Sequence, residues 1–425
     1  MMDEPSLQDR IAQAVVDLGA WLETMRQPGG YGGPVAHWWQ NRFQYTGPGL
    51  DWRYEGILIG YATLHEKTGD AAWRGRLDVA ADDVIAGQRP DGSYRASRFE
   101  MNPDTLGTPH EAAATHGLLA AQPHLSNGEK AVEVARRNLD NLVEKLWDGR
   151  GFNDRPGVSG RVPNKLATLA HALMCYVRLT GDGGYLPYAK AALDDVLRYQ
   201  MAQGPNVGAV HQYAPGGAAG DGRFFPYYNA RCVPALVLGA DLLGDERYLE
   251  AARGIKSFLD GTMHHDGSWP QIVYVNGRRA AWPRWLAGTA DILLAYGSLG
   301  EAMPDVALRR LLDSQLPSGG FRTATGFQAQ IRQAAPSAAD YRDVVPVVGW
   351  NDKALRLLAT MLPSPTTLPA PETAATELPV TVGAAPALFR ESPEAMELRI
   401  GHEAAYAWDK HAPWATTANG QVNVR

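Results

Sequence analysis

Residues 105–117, TLGTPHEAAATHG, place a proline, an imidazole and a carboxylate directly before an alanine-rich run. Alanine is the best helix former, and proline suits the first helical position because its missing N–H would have no partner there. We therefore predict a helix that begins at Pro109, with His110 and Glu111 in its first turn. The same order of residue types recurs along the chain, and this recurrence decides the fold.

Six segments share a polar start followed by an apolar helix, and they lie about 60 residues apart, a period typical of helical repeats. The first begins at Asp51, a suitable N-cap residue. The other five are predicted to begin at the prolines Pro109, Pro163, Pro226, Pro283 and Pro346.

Glycine-containing turns separate the apolar helices from amphipathic helices that precede them. Five turns end in an aromatic residue, at Tyr31, Tyr94, Phe152, Trp269 and Phe321, and a looser turn occupies residues 202–213. Short stops such as TGD, residues 68–70, reverse the chain at the opposite end. Residues 1–362 are therefore predicted to form an all-α (α/α)6 barrel, a toroid of six helical hairpins with the apolar helices inside. The alternative is an open α-solenoid.

The repeat ends near residue 362. Residues 363–392 are rich in proline, threonine and alanine, which is typical of an extended linker. Residues 393–425 form a C-terminal tail, for which packing on the barrel and disorder are both open.

Composition excludes several classes of function. The formal net charge of −6 provides no basic face for nucleic acid. No run reaches the roughly 18 consecutive apolar residues of a membrane span, and the N-terminus lacks the pattern of a secretory signal, so we expect a cytoplasmic protein. Cys175 and Cys232 lie in apolar helical patterns and are expected to be buried thiols. No cofactor is predicted, and the oligomeric state is left open.

The first turns of the inner helices carry polar groups that a closed ring would direct into one cavity. Hydrolysis of a glycosidic bond requires a carboxylic acid and a second group that attacks or activates water. We assign the acid and base roles first to Glu111 and Asp352, and Asp291 lies deeper on the fifth helix. The predicted catalytic residues are Glu111, Asp352, Glu55 and His110.

Cations at helix N-termini oppose the helix dipole, so they either point to solvent or hold an anion. A carboxylate there is favoured by the same dipole and can be purely structural. Aromatic residues beside these groups offer flat faces to a sugar ring. The predicted substrate-binding residues are Arg53, Trp52, Lys165, Tyr228, Asn229, Arg231, Arg284, Trp285, Trp350 and Asn351.

No metal site is predicted. His110 and His116 are six residues apart, about 240° around a helix, and do not share a face. His116 and His171 are interpreted as core histidines. His264, His265 and Asp266 lie together in a long loop, where a further spaced ligand for a metal is missing.

The sequence resembles the six-hairpin glycosidases, in particular the intracellular unsaturated glucuronyl and rhamnogalacturonyl hydrolases. The resemblance lies in residues 51–73 (DWRYEGILIGYATLHEKTGDAAW), 87–96 (GQRPDGSYRA) and 110–121 (HEAAATHGLLAA), within about residues 10–362. It implies a glycoside hydrolase acting on an anionic, uronate-type saccharide or oligosaccharide. That family has catalytic aspartates at inner-helix starts, whereas the closest positions here hold Glu55 and Glu111.

Weaker resemblances leave other functions open. Sugar 2-epimerases and polysaccharide lyases use similar barrels, and His110, Tyr228, Asn229 and Arg231 would suit their chemistry. The turn QRPDGSY, residues 88–94, is also similar to turns of terpene cyclases and prenyltransferases, for which an apolar, nearly uncharged cavity is expected. A saccharide-binding protein without catalysis is the remaining alternative.

Overall fold

Two layers of helices alternate along the chain in the computed structural model, which describes residues 5–37, 42–95, 107–215, 220–328 and 339–411. The outer helices span Leu7–Thr24, Ala71–Ala86, Gly128–Leu146, Leu186–Arg198, Glu246–Thr262 and Asp305–Leu312. The inner helices span Arg53–Thr68, Ala112–Ala121, Pro163–Thr180, Val233–Leu243, Thr289–Ser298 and Val348–Met361. No described helix is both long enough and apolar enough to cross a membrane.

The inner helices form a closed ring. Each packs against the next one along the chain, and the sixth, Val348–Met361, packs against the first, Arg53–Thr68. Gly56 permits this approach, because a Cβ there would lie only 2.3 Å from the main-chain oxygen of Asp352. The predicted (α/α)6 barrel is confirmed, and the contact between first and last inner helices excludes an open solenoid.

The aromatic turns anchor the outer helices to the inner ring. Tyr94, Phe152, Trp269 and Phe321 are each at most 2% exposed. The turns are closed by antiparallel bridges such as Trp147 with Phe152. Apolar burial of these rings holds each loop against the barrel, so that the long loops collect at one end.

Left-handed glycines end three inner helices at the opposite end of the ring. Gly69, Gly181 and Gly244 have φ values of 66°, 77° and 64° at the C-caps of the first, third and fourth inner helices. Glycine adopts this conformation without a Cβ penalty, which allows the chain to reverse within a few residues.

Helix starts differ from the sequence prediction at several prolines. Pro163 is the first residue of its helix, whereas Pro109 begins a 3₁₀ turn, Pro109–Glu111, before Ala112. Pro226 begins a short helix, Pro226–Ala230, and the main fourth helix follows at Val233.

The predictions of helix starts at Pro283 and Pro346 were wrong. Pro283 precedes a short strand, Arg284–Trp285, and the helix begins only at Thr289. Pairing of this strand with Ala324–Thr325 outweighs the weak local preference of proline for a helical start. The sixth inner helix begins at Val348 rather than at Pro346.

Short antiparallel strand pairs occur in the loops. The pairs are Arg26–Gln27 with Gly30–Tyr31, Gly33–His37 with Arg42–Thr46, Gly160–Arg161 with Ala214–Pro215, Arg223–Phe224 with Val273–Tyr274, and Arg284–Trp285 with Ala324–Thr325. A short helix, Tyr341–Val344, precedes the sixth inner helix.

A four-stranded antiparallel sheet follows the barrel, with its strands in chain order. They span Thr376–Val382, Ala385–Glu391, Ala395–Ile400 and Glu403–Asp409. The prediction of an extended linker was therefore wrong for residues 376–391. Pro379 is tolerated because its strand lies at the sheet edge, while Val380 and Val382 are buried. Residues 412–425 of the predicted tail lie outside the described residues.

Candidate functional site

Charged side chains from four inner segments meet around Glu55 in the interior of the ring. Its Oε2 lies 2.7 Å from Arg231 Nη1 and 3.8 Å from Lys353 Nζ, and its Oε1 lies 2.9 Å from His116 Nδ1 and 3.4 Å from Arg356 Nη1. Burial alone would raise the pKa of Glu55, but these four neighbours outweigh it and hold the pKa well below its usual range. Glu55 is therefore a buried, ionised carboxylate.

Arg231 links two carboxylates of different helices. It lies at the break between Pro226–Ala230 and Val233–Leu243. Its Nη1 contacts Glu55 Oε2 at 2.7 Å and Asp291 Oδ2 at 3.1 Å. Its buried Nε has no hydrogen-bond partner in the described part of the chain. The helix break thus places a guanidinium between two acids, with one donor left for another group.

Asp352 is a buried carboxyl group at the contact between the sixth and first inner helices. Its Oδ2 accepts hydrogen bonds from Gly56 N at 3.1 Å and from Lys353 Nζ at 2.5 Å, whereas its Oδ1 has no partner among the residues that the structure describes. Burial, together with Asp291 and Glu55, raises the pKa of Asp352 to about 8 although Lys353 opposes the rise. A carboxyl that is neutral at pH 7 can act as a general acid.

Aromatic rings form a wall next to these charges. The Trp52 and Trp350 ring centroids lie 5.2 Å apart, and Trp350 lies 4.9 Å from Trp285 and 5.0 Å from Tyr227. Tyr228 extends the wall beside Tyr227 at 5.4 Å. Such flat apolar surfaces suit the faces of sugar rings.

His110 lies against this wall, 6.3 Å from Trp52 between ring centroids. Within the ranges that the structure describes, its buried Nε2 has no hydrogen-bond partner. Burial is the largest cause that lowers the pKa of His110 well below its usual value; Arg231, Lys165 and Lys353 lower it further, while Glu55 opposes the fall. The imidazole is therefore neutral.

The predicted site residues Asn229 and Asn351 hold the turns of the preceding hairpins. Asn229 Oδ1 accepts from Val210 N at 2.6 Å, and its Nδ2 donates to Val210 O at 3.0 Å. Asn351 makes the corresponding pair of bonds with Phe321, at 2.6 and 3.2 Å. These amides satisfy main-chain groups of buried turns, so their contacts indicate a structural role.

Glu111 has a similar position in the second hairpin. Its Oε1 accepts from Tyr94 N at 3.0 Å and Asn138 Nδ2 at 2.9 Å, and its Oε2 accepts from Gly107 N at 2.6 Å. Burial raises its pKa, although the three donors oppose the rise. Because both oxygens are engaged by the protein, its contacts support a role in fixing this turn.

Three predicted anion-binding cations are paired with protein carboxylates. Arg53 also donates to the main-chain oxygen of Tyr31 at 2.7 Å. Arg53 lies 2.6 Å from the Asp51 carboxylate, Lys165 lies 2.8 Å from that of Asp154, and Arg284 lies 3.0 Å from that of Asp266. The structure thus brings together Glu55, Asp352, His110, Arg231, Trp52, Trp285 and Trp350 from the predicted set.

The barrel is similar to those of several solved structures. A sugar epimerase from a ruminal bacterium has a TM-score of 0.62 and 13% identity, over 84% of this chain and 100% of that one. An unsaturated glucuronyl hydrolase specific for heparin gives 0.60 and 13%, over 83% and 95%. A family 76 glycoside hydrolase from a bovine Bacteroides thetaiotaomicron strain gives 0.57 and 12%, over 83% and 77%.

The resemblance is to glycoside hydrolases and sugar epimerases. No protein-family model matches the sequence, and no curated protein matches it. At these identities the comparison establishes a shared fold, which is the fold that the repeat pattern predicts.

The sequence pattern gives no prediction for two cations of the cluster, Lys353 and Arg356. Both lie in WNDKALR, residues 350–356, where cations interrupt the apolar face of an inner helix. That interruption is the feature of the sequence from which the two cations could have been identified. His116 is buried, as a core histidine would be, but it contacts Glu55.

Proposed function

We propose that the chain is a carbohydrate-active enzyme, and most specifically a glycoside hydrolase that acts on a uronate-type saccharide. The observation that carries this proposal is the neutral, buried carboxyl of Asp352, with an unpartnered Oδ1, close to the ionised carboxylate of Glu55. Two carboxyl groups in opposite protonation states are what glycosidic hydrolysis requires.

Asp352 is the proposed proton donor to the leaving glycosidic oxygen. As that bond breaks, positive charge develops on the sugar ring; water then adds to the anomeric carbon and gives its proton to the Asp352 carboxylate, which restores the acid. Glu55 has a strongly lowered pKa, which makes it a poor base at neutral pH. Its proposed role is therefore electrostatic, since a preorganised carboxylate stabilises developing positive charge in a site from which water is excluded.

The proposed position for the uronate carboxylate is beside His110. Arg231, Lys165 and Lys353 lie close enough to lower the pKa of His110, and the neutral ring can donate from Nε2 in the appropriate tautomer. The unpartnered Nε of Arg231 is a second donor. Trp52 and Trp350 would then contact the apolar face of the ring. A charged cluster of this kind does not suit the hydrocarbon substrate of a terpene cyclase.

The test is cleavage of disaccharides that carry an unsaturated uronate, compared with neutral disaccharides of the same linkage. We expect cleavage of the uronate compounds and its loss in Asp352→Asn, with the products identified by mass spectrometry. Asp313→Asn serves as the control, because that carboxylate is exposed and pairs with Arg10 at the surface. Cleavage of only the neutral compounds would contradict the uronate assignment, and full activity of Asp352→Asn would contradict the assigned acid.

A sugar 2-epimerase is the second candidate. It is favoured by the imidazole of His110, whose Nε2 has no partner among the described residues and, with the ring proton on Nδ1, could remove a proton from the carbon next to a carbonyl. Incubation of reducing sugars in heavy water separates the two reactions. Deuterium at C2 without loss of a glycosidic bond, abolished in His110→Asn, would replace the hydrolase assignment.

A further inference from the structure

Three side chains with metal-binding atoms converge near Glu55, and none of them has a role in proton transfer or substrate binding in the proposed hydrolysis. They are His116 of the second inner helix and His171 and Cys175 of the third, and their ligand atoms all lie within 4.8 Å of one another. His171 and Cys175 are separated by one helical turn and therefore share a face. Small changes in side-chain torsion angles would bring all three ligand atoms to one metal ion.

Glu55 orients one of these histidines. His116 Nδ1 lies 2.9 Å from Glu55 Oε1, so that the other ring nitrogen is available to the cluster. Metal-binding histidines commonly donate their second N–H to a carboxylate, which fixes the tautomer and increases ligand basicity. The His171 ring lies 4.0 Å from that of His116 between centroids.

The cluster lies on the wall of a cavity of about 700 Å³. All three side chains line it, together with Arg178 and Arg356. Arg178 lies in the last turn of the third inner helix, which places the cavity toward the end of the ring that carries the short turns. The space accommodates a fourth ligand, and the two guanidinium groups favour water or a small anion in that position.

We propose that His116, His171 and Cys175 form a zinc site with an open fourth position toward this cavity. A thiolate with two imidazoles matches the ligand preference of Zn²⁺ and not that of Mg²⁺ or Ca²⁺. Three protein ligands with one exchangeable position are the arrangement of reactive rather than purely structural zinc sites. The sequence spacing alone does not reveal the cluster, because its ligands come from two helices.

Metal titration of the full chain after chelator treatment tests the site. We expect one equivalent of Zn²⁺ by calorimetry, and with Co²⁺ an absorption band from charge transfer between thiolate and metal. Cys175→Ser should abolish that band and weaken Zn²⁺ binding by more than the roughly 10- to 100-fold typical of residues that only hydrogen-bond a ligand. His171→Asn should also weaken binding.

Cys232→Ser is the matched control, because Cys232 is the other buried thiol and donates to the Tyr228 main-chain oxygen. It should keep both the band and the affinity. Absence of the band in the unmodified chain, or its persistence in Cys175→Ser, would overturn the proposal. If Cys175→Ser does not fold, peptide mapping after alkylation of the unmodified chain decides: Zn²⁺ should protect Cys175, and equal labelling with and without Zn²⁺ would refute the site. None of these measurements uses a saccharide, so their outcome does not depend on whether the chain is a hydrolase.

Discussion

The proton on Asp352 is held by its surroundings. Burial between two helices raises its pKa to about 8, above the ordinary value of 3.8. The proposed hydrolysis should therefore slow as pH rises through about 8, when the acid loses its proton. Asp352→Asn should lower kcat by roughly 100- to 10,000-fold, the usual contribution of a general acid, with little change in KM. Steady-state kinetics across the neutral and alkaline range provide the measurement.

The same shift predicts how stability depends on pH. Because the folded-state pKa of Asp352 lies above 3.8, the folded chain binds this proton more tightly than the unfolded chain does. The contribution to stability is complete below about pH 4 and is lost as pH rises toward about 8. Asp352→Asn should reduce the decline in unfolding free energy over that range, as measured by urea denaturation. An unchanged pH dependence would contradict the raised pKa.

Glu111 provides a test of structural against catalytic roles. In Glu111→Gln an NH2 group replaces one carboxylate oxygen. This hydrogen-bond donor would then face another donor, either Gly107 N or the groups that donate to Oε1. We expect a loss of about 1–3 kcal/mol in unfolding free energy, the cost of an unsatisfied buried group, with kcat of the folded enzyme preserved. Glu144→Gln, an exposed position on the neighbouring outer helix, is the control. A large fall in kcat without loss of stability would restore the catalytic prediction.

At the scale of elements, the contact that closes the ring depends on glycine. A Cβ at Gly56 would lie 2.3 Å from the Asp352 main-chain oxygen, whereas one at Gly75, on an exposed outer helix, would meet nothing within 4 Å. Gly56→Ala should lower the free energy of unfolding by about 1–3 kcal/mol or more, because the added methyl group overpacks this contact. Gly75→Ala should stabilise by about 0.5–1 kcal/mol, because alanine is the better helix former. Urea denaturation of both variants is the measurement, and equal effects would contradict a tight contact at Gly56.

Repetition made the helices predictable, and loop pairing limited the accuracy of their ends. The recurring turns and apolar segments predict the layers and the closure of the ring. The start at Thr289 was not predictable from Pro283, because the intervening strand depends on a partner at residues 324–325. The strand Thr376–Val382 was obscured by proline, whose tolerance depends on the strand's position at a sheet edge.

Ring closure brings together charges that are far apart in sequence. Glu55, Arg231 and Lys353 come from the first, fourth and sixth hairpins, yet Glu55 Oε2 contacts both cations. The sequence predicts that polar groups share one end of the barrel. It could not predict their pairing, because each partner depends on how its helix is rotated about its own axis. His110 and Glu111 are adjacent in sequence, but one faces the aromatic wall and the other holds a turn.

A buried ion pair within the C-terminal sheet region also contacts the barrel through Glu391. Lys410 Nζ lies 2.9 Å from Glu391 Oε1, and both side chains are at most 1% exposed. Trp21 Nε1, from the first outer helix, donates to the same oxygen at 2.8 Å, and Ser318 Oγ donates to Oε2 at 2.8 Å. The carboxylate therefore connects the sheet with two parts of the barrel.

Removal of one partner should leave an uncompensated buried charge. Lys410→Met is expected to lower the unfolding free energy by about 3–5 kcal/mol. The double variant Lys410→Met with Glu391→Gln should recover part of that loss, because neither side chain then carries a buried charge. Arg390→Met removes the exposed neighbouring pair with Glu377 and should change stability little. Urea denaturation provides the energies, and hydrogen exchange in Thr376–Val382 reports whether the sheet opens first. If Lys410→Met and Arg390→Met lower the unfolding free energy by similar small amounts, the buried pair contributes no more than the exposed one. That result would show that the apolar face of the sheet holds it to the barrel.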